Sequence, residues 1–88
     1  MERQREKLYG LTPQQYQLLL QSQNERCAIC LRHKDEVVRG LAIDHDHVTK
    51  RVRGLLCLSC NTILGLSKES VEVLEATVAY LAKHKASP

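Results

Sequence analysis

The sequence predicts a small α+β domain in which a helix, a cysteine-containing turn and a β-hairpin are followed by two further helices. Helical periodicity marks both ends of the chain, whereas residues 41–56 contain two segments with strand-like alternation. Two Cys-x-x-Cys pairs flank these segments. With 88 residues the chain has the length of one domain, residues 1–88, and such a short chain builds only a modest hydrophobic core.

The first helix is predicted in the segment LTPQQYQLLLQSQ. Thr12 is a favourable N-cap, Pro13 is tolerated at the first helical position, and Gln15 completes a capping box. Residues 1–8 are mostly charged and predict a frayed tail or the end of a short helix. We expect the helix to pack through one face, which consists of Tyr16, Leu19, Leu20 and Gln23.

The hairpin is predicted from LAIDH and VRGLLC, which are joined by a turn at HVTKR. A further short strand is predicted at residues 37–38. Neighbouring side chains of a regular strand point to opposite faces, so Asp44 and His45 can face one site only where the backbone departs from that geometry. We therefore predict an irregular backbone at residues 44–47.

Two helices are predicted after the hairpin. A short one runs from Leu58 to about Gly65 and carries Asn61. Ser67 caps a final helix that runs to about Lys83. The first turns of that helix contain acidic residues, which suits the helix dipole, namely Glu69 and Glu72. Its apolar stripe is expected to be buried and consists of Val71, Leu74, Val78 and Leu81.

The four cysteines predict a structural zinc site. They form two pairs, Cys27 with Cys30 and Cys57 with Cys60. The chain shows neither a signal peptide nor an apolar run long enough to span a membrane, so we expect it in the reducing cytoplasm, where thiols bind metal rather than form disulfides. Four thiolates complete a tetrahedral zinc shell. This ion is therefore expected to stabilise the fold and to take no part in catalysis.

A second set of residues predicts a different metal. Four of these residues lie at the end of the first predicted strand, namely Asp44, His45, Asp46 and His47. The fifth, Asn61, directly follows the second cysteine pair. Carboxylate and amide oxygens are hard ligands that suit Mg²⁺ or Mn²⁺. A neutral histidine near such an ion can take a proton from water. The set therefore predicts hydrolysis of a phosphodiester bond, although spacing alone does not choose between Asp46 and His47 as a further site residue.

The placement of charge is consistent with a nucleic-acid partner. The net charge is only +3, from 13 Lys and Arg against 10 Asp and Glu. Lys50, Arg51 and Arg53 nevertheless stand together in a segment without acidic residues, which indicates either a DNA-binding surface or a solvated hairpin tip.

The chain resembles the phage recombination endonuclease VII family, a zinc-bearing branch of the HNH nucleases. Three segments carry this resemblance: YGLTPQQYQLLLQSQNERCAICLR, LAIDHDH and RVRGLLCLSCN. The resemblance covers residues 9 to about 66. It implies a zinc-stabilised ββα-metal (His-Me finger, treble-clef-like) domain with flanking helices. It also implies a Mg²⁺-dependent nuclease that resolves Holliday junctions and other branched DNA as a homodimer.

The resemblance assigns roles to individual residues. Asp44 and Asn61 match the Mg²⁺ ligands, His45 matches the general base, and His47 matches a histidine that contacts the scissile phosphate. The zinc ligands are matched by Cys27, Cys30, Cys57 and Cys60.

Two departures from the family leave the substrate open. This chain has Leu64 where the best-known type of the family has Glu. The longer C-terminal region of that type is not found in this sequence. The sequence therefore predicts either junction resolution or simple nicking of duplex DNA. From other classes, the alternatives are a non-catalytic zinc module that binds nucleic acid or protein, and a small redox protein. A binding module has no need of Asp44, His45 and Asn61 together.

Overall fold

The computed structural model describes residues 11–85, so the prediction for residues 1–8 lies outside the described residues. The described part is a small α+β fold with one two-stranded antiparallel sheet. This confirms the predicted order of elements. In chain order the elements are α1 (Pro13–Ser22), a 3-10 helix (Lys34–Glu36), β1 (Ala42–His45), β2 (Val52–Leu56), α2 (Leu58–Leu66) and α3 (Val71–Lys85).

Helix α1 begins as its capping residues predict. The hydroxyl of Thr12 accepts from the backbone N–H of Gln15 at 3.1 Å, and the side chain of Gln15 accepts from the backbone N–H of Thr12 at 2.8 Å. The helix packs on the sheet through Leu20, which is buried, and Tyr16, whose hydroxyl donates to the carbonyl of Leu41 at 2.6 Å. This contact holds α1 against the segment that enters β1.

The hairpin contains a bulge at the predicted position. Asp44 lies opposite Gly54, but the next residue, His45, lies opposite Val52, so Arg53 is an extra residue on β2. Both Asp44 and His45 still pair with β2, and β1 ends at His45. The prediction of an irregular backbone at residues 44–47 is therefore confirmed only between residues 44 and 45, where the bulge changes the register while both residues stay in the ladder.

The segment before β1 differs from the prediction. Residues 37–38 do not form a strand, because the chain instead makes the 3-10 helix at Lys34–Glu36. Local capping favours this turn: Nδ1 of His33 accepts from the backbone N–H of Asp35 at 3.1 Å, and the carboxylate of Glu36 accepts from the backbone N–H of His33 at 2.7 Å. Such side-chain bonds to the backbone compete with extended structure.

The junction between α2 and α3 also corrects the prediction. Ser67 is the C-cap of α2 and does not begin α3. Lys68 and Glu69 follow it with left-handed φ angles of 55° and 58°, so the chain reverses and Glu69 lies in the turn rather than in a helix. The final helix starts only after Ser70, whose hydroxyl accepts from the backbone N–H of Val73 at 3.1 Å.

The apolar stripe of α3 is not buried, contrary to expectation. Val71 and Val78 are 64% and 67% exposed, and no residue of α3 is fully buried. The core lies instead where α1, β2 and the cysteine turns meet. Its buried members are Leu20, Cys27, Leu41, Leu55, Leu56, Cys57 and Cys60. Helix length and apolarity rule out a membrane-crossing helix within residues 11–85.

Candidate functional site

The four cysteines come together in space. Their sulfur atoms all lie within 4.8 Å of one another, and the Sγ atoms of Cys30 and Cys57 are 3.7 Å apart. A tetrahedral zinc site with bonds of about 2.3 Å requires sulfur–sulfur separations of about 3.8 Å. Cys27, Cys57 and Cys60 are also buried, as befits a site inside the core. The cluster supports structural zinc, as the sequence predicts.

The backbone of the cysteine turns makes the thiols unequal. Burial alone would raise the pKa of Cys27, but hydrogen bonds from the backbone of Cys57, Cys30 and Ile29 outweigh it and lower that pKa to about 6. Burial and hydrogen bonds with the other thiols raise the pKa of Cys60 to about 12. A bound metal ion would favour the thiolate form of its cysteine ligands, which must be deprotonated to bind it.

The carboxylate of Asp44 lies beside the bulge and is paired with Arg53. Asp44 is 8% exposed, and Arg53 donates to both of its oxygens, from Nε to Oδ2 at 2.8 Å and from Nη2 to Oδ1 at 3.0 Å. These bonds and those with Glu69 raise the pKa of Arg53 above its ordinary value. Arg53 was predicted to bind DNA, yet its guanidinium faces two carboxylates.

Glu69 extends this pairing to the histidines. It accepts from Nη1 of Arg53 at 3.1 Å and from Nη2 at 3.3 Å, while its Oε2 lies 3.4 Å from Nε2 of His47. The rings of His47 and His45 are stacked, with centroids 5.3 Å apart and planes 11° from parallel. We call Asp44, Arg53, Glu69 and His47 the Arg53 network. It connects the two sides of the bulged hairpin.

Asp46 has a different task. Its Oδ1 accepts from the backbone N–H groups of Val48 at 2.8 Å and Thr49 at 2.9 Å. These bonds, that of Thr49 foremost, lower the pKa of the Asp46 carboxyl. Asp46 therefore shapes the hairpin turn, whereas His47 belongs to the Arg53 network. Lys50 and Arg51 are exposed on the same turn.

Asn61 lies in the first turn of α2 and is exposed. Its backbone N–H donates to the carbonyl of Cys57 at 3.0 Å, so zinc binding and the position of Asn61 are linked. Leu64, one turn later, packs against the core and cannot supply a carboxylate. Within residues 11–85, the cysteines are the one set of three or more His, Cys, Asp or Glu side chains close enough to share an ion.

The donor chemistry of Asp44 and Asn61 nevertheless suits Mg²⁺ or Mn²⁺. An ionised carboxylate offers about four lone-pair positions, and the two bonds from Arg53 leave about two for a cation. Magnesium needs only one or two protein oxygens, because water and substrate phosphate complete its shell. Asp44 and Asn61 each offer an oxygen of this kind.

Glu69 is the site residue that the sequence interpretation missed. An acidic residue near the start of a helix is ordinarily explained by the helix dipole, and that was the role predicted for it. Only the left-handed turn of Lys68 and Glu69 brings this carboxylate back toward Arg53. No spacing rule reveals such a turn, because neither residue is glycine.

The chain is similar to a known protein family and to known phage proteins. The family model for recombination endonuclease VII matches residues 2–83. Gene 59 protein of Mycobacterium phage D29 is 43% identical over 76 residues, which cover 85% of this chain and 46% of that protein. Gene 59 protein of Mycobacterium phage L5 is 40% identical over 74 residues, which cover 83% of this chain and 44% of that protein.

The chain spans slightly less than half the length of these two relatives. The family model, in contrast, covers nearly the whole chain, and its name denotes nucleases that act on DNA. The four-cysteine cluster is also what the resemblance implies for that family. This chain therefore belongs to the recombination endonuclease VII family.

Proposed function

We propose that this chain is an HNH-type DNA endonuclease that hydrolyses phosphodiester bonds with the help of a divalent cation. The observation that carries the proposal is the series of contacts from Asp44 through Arg53 and Glu69 to His47, whose ring stacks on that of His45. A carboxylate and two imidazoles thus form one connected group at the end of the hairpin. Family membership supports nuclease activity for such a group.

The residues divide the chemistry between them. Asp44 and Asn61 are the proposed ligands of Mg²⁺ or Mn²⁺, which when bound supplies charge neutralisation at the scissile phosphate and the leaving oxygen. His45 accepts a proton from the attacking water as general base. His47 donates a hydrogen bond to a phosphate oxygen. The hairpin and α2 form the proposed ββα-metal frame for these groups.

Lys50 and Arg51 are the proposed contacts to phosphates that flank the cleaved bond. Both are exposed on the hairpin turn, whereas Arg53 pairs with carboxylates. Each lost phosphate contact should reduce the slope of log affinity against log salt by about 1. We expect this change for Lys50→Ala, measured by fluorescence anisotropy on duplex DNA, and none for the control Lys83→Ala at the end of α3.

The decisive experiment is cleavage of supercoiled plasmid by the zinc-loaded protein with and without added Mg²⁺. His45→Ala should lower the cleavage rate by roughly 10²–10⁴, whereas His84→Ala on the exposed α3 should not. A normal rate for His45→Ala would transfer the role of base to His47. If zinc-loaded wild type cuts nothing at any Mg²⁺ concentration, the chain is better explained as a non-catalytic zinc module.

Asn61→Ala separates the two metals. Loss of an oxygen ligand should raise the Mg²⁺ concentration needed for half-maximal cleavage and leave the zinc content at one ion per chain. A loss of zinc would instead indicate that Asn61 supports the cysteine turn.

The preferred DNA form requires a direct comparison. We propose branched DNA, such as a four-way junction, as the substrate, because the family is one of recombination endonucleases. Cleavage of a junction should then be faster than nicking of the duplex formed from the same strands. Equal rates would favour simple nicking.

We further propose that the chain works in the bacterial cytoplasm as a homodimer. Reducing conditions there keep four cysteines available for zinc. The apolar residues of α3 are the proposed interface, since Val71, Val78 and Leu81 are exposed and recur at a spacing suited to helix pairing. Sedimentation velocity should show a dimer that Leu81→Glu converts to a monomer and Glu75→Gln does not.

A further inference from the structure

We infer that Glu69 is a positioning residue of the nuclease site, which fixes Asp44 through Arg53 and His47 by direct contact. This inference rests on the proposed function and deepens it. Neither the spacing of the motif nor the resemblance assigns any role to Glu69.

The first step concerns Arg53, whose guanidinium bridges two carboxylates. Its Nε and Nη2 donate to Asp44 at 2.8 and 3.0 Å, while Nη1 and Nη2 donate to Glu69 at 3.1 and 3.3 Å. The planar guanidinium gains a defined orientation when both sides are bonded. Because the Arg53 side chain is 36% exposed, loss of Glu69 would leave it with a single anchor and open access to solvent.

The second step concerns His47. Its side chain is 74% exposed, so packing does little to restrict its rotamers. Oε2 of Glu69 lies 3.4 Å from Nε2 of His47, and the stack on His45 limits the ring from one face. The same carboxylate therefore orients the proposed phosphate contact and, through Arg53, the proposed metal ligand.

The third step concerns the backbone that presents Glu69. Glu69 adopts a left-handed φ of 58° directly after Lys68 at 55°, a pair of conformations that residues other than glycine rarely adopt. Hydrogen bonds hold this turn to the end of α2, including Glu69 N–H to the carbonyl of Leu64 at 2.9 Å. The same pair of conformations reverses the chain after α1, at Asn24 and Glu25, and at Lys68 and Glu69 it brings the Glu69 carboxylate back to Arg53.

The test compares Glu69→Gln with the control Glu72→Gln, which removes the same charge from an exposed position in the first turn of α3. Single-turnover cleavage at saturating DNA and Mg²⁺ should be roughly 10–100-fold slower for Glu69→Gln, the range for residues that orient metal ligands. DNA affinity should stay the same or rise slightly, because a negative charge is lost. Zinc content should not change.

A second readout does not depend on activity. The side-chain Nη–H groups of Arg53, which donate to Glu69, should give slowly exchanging NMR signals in wild type and in Glu72→Gln, and faster exchanging ones in Glu69→Gln. If Glu69→Gln loses its zinc, Glu69→Asp can be compared with wild type instead. This variant keeps the negative charge but shortens the side chain that contacts Arg53.

The outcomes separate this inference from the proposed function. Equal cleavage rates and equal Arg53 exchange for the two glutamine variants would overturn the role of Glu69 and leave the nuclease intact. Absence of Mg²⁺-dependent cleavage by wild type would overturn the proposed function, and the Arg53 signal would still show whether Glu69 anchors the guanidinium.

Discussion

Replacement of Gln23 by alanine tests how α1 is fastened to the sheet. Gln23 directly follows the last residue of α1, and its side chain reaches β2. Its Nε2 donates to the carbonyls of Arg26 at 2.7 Å and Leu55 at 3.0 Å, and its Oε1 accepts from the backbone N–H of Leu55 at 2.9 Å. The Gln23 amide therefore bonds both main-chain groups of Leu55 as a neighbouring strand would.

The expected loss of unfolding free energy depends mainly on the backbone N–H group of Leu55. Leu55 is 0% exposed with Gln23 in place, and a buried donor left without an acceptor costs about 1–3 kcal/mol. The carbonyl of Leu55 keeps a bond from the backbone N–H of Ala28 at 3.1 Å, and Arg26 is exposed to water. We therefore expect Gln23→Ala to lower the free energy of unfolding by about 1–3 kcal/mol, a large share of the roughly 5–15 kcal/mol typical of a domain.

Urea unfolding measures this loss in zinc-loaded protein. Free zinc must be buffered at one concentration, because ligand binding to the folded state adds to its apparent stability. Gln23→Met retains the length of the side chain and should lose nearly as much as Gln23→Ala. The control Gln21→Ala changes an exposed residue of α1 and should stay within about 0.5 kcal/mol of wild type. Amide hydrogen exchange should accelerate at Leu55 in both Gln23 variants.

One result would refute the reasoning. If both Gln23 variants unfold at the same urea concentration as Gln21→Ala while the Leu55 amide remains protected, then Leu55 does not depend on Gln23. The attachment of α1 would then rest on Leu20 and Tyr16 alone.

Three further predictions use the same methods. Cys57→Ser should lose zinc and unfold, since zinc binding supplies about 10–16 kcal/mol in small zinc peptides; metal analysis and circular dichroism check this. The lowered pKa of Asp46 implies a stabilising contribution that is present above the ordinary value of 3.8 and is lost as the pH falls through the lowered value. Carboxyl ¹³C NMR should place its midpoint below that of free aspartate. Tyr16→Phe removes the bond to the Leu41 carbonyl and should cost about 0.5–1.5 kcal/mol in urea unfolding.

The elements with local signals could be predicted from the sequence. The capping residues of α1 and the alternation in the hairpin depend on near neighbours, and the structure confirms both. The start of α3 could not be predicted, because its turn places Lys68 and Glu69 in left-handed conformations without glycine. The apolar stripe of α3 was recognised, but periodicity does not show whether another element covers it.

The candidate site likewise contains residues that the sequence predicts and residues that only the structure reveals. Residue chemistry selected the four cysteines together with Asp44, His45 and Asn61, and the family resemblance favoured His47 over Asp46. Arg53 was grouped with Lys50 and Arg51 because charge counting cannot see the bulge that brings its guanidinium to Asp44. Residues that position other residues lack a chemical signature of their own, so only the folded chain identifies them.

The zinc cluster and the Arg53 network are linked through the elements that they share. Cys57 directly follows β2, the strand that carries Arg53, and Cys60 lies in α2, whose residue Leu64 accepts the backbone N–H of Glu69. Zinc therefore fixes both elements from which the network is built. Loss of zinc should abolish cleavage even when every residue of the network is present, whereas substitutions within the network should leave the zinc bound. A chelator alone cannot distinguish these effects, and only preparations matched in zinc content reveal the role of the second metal.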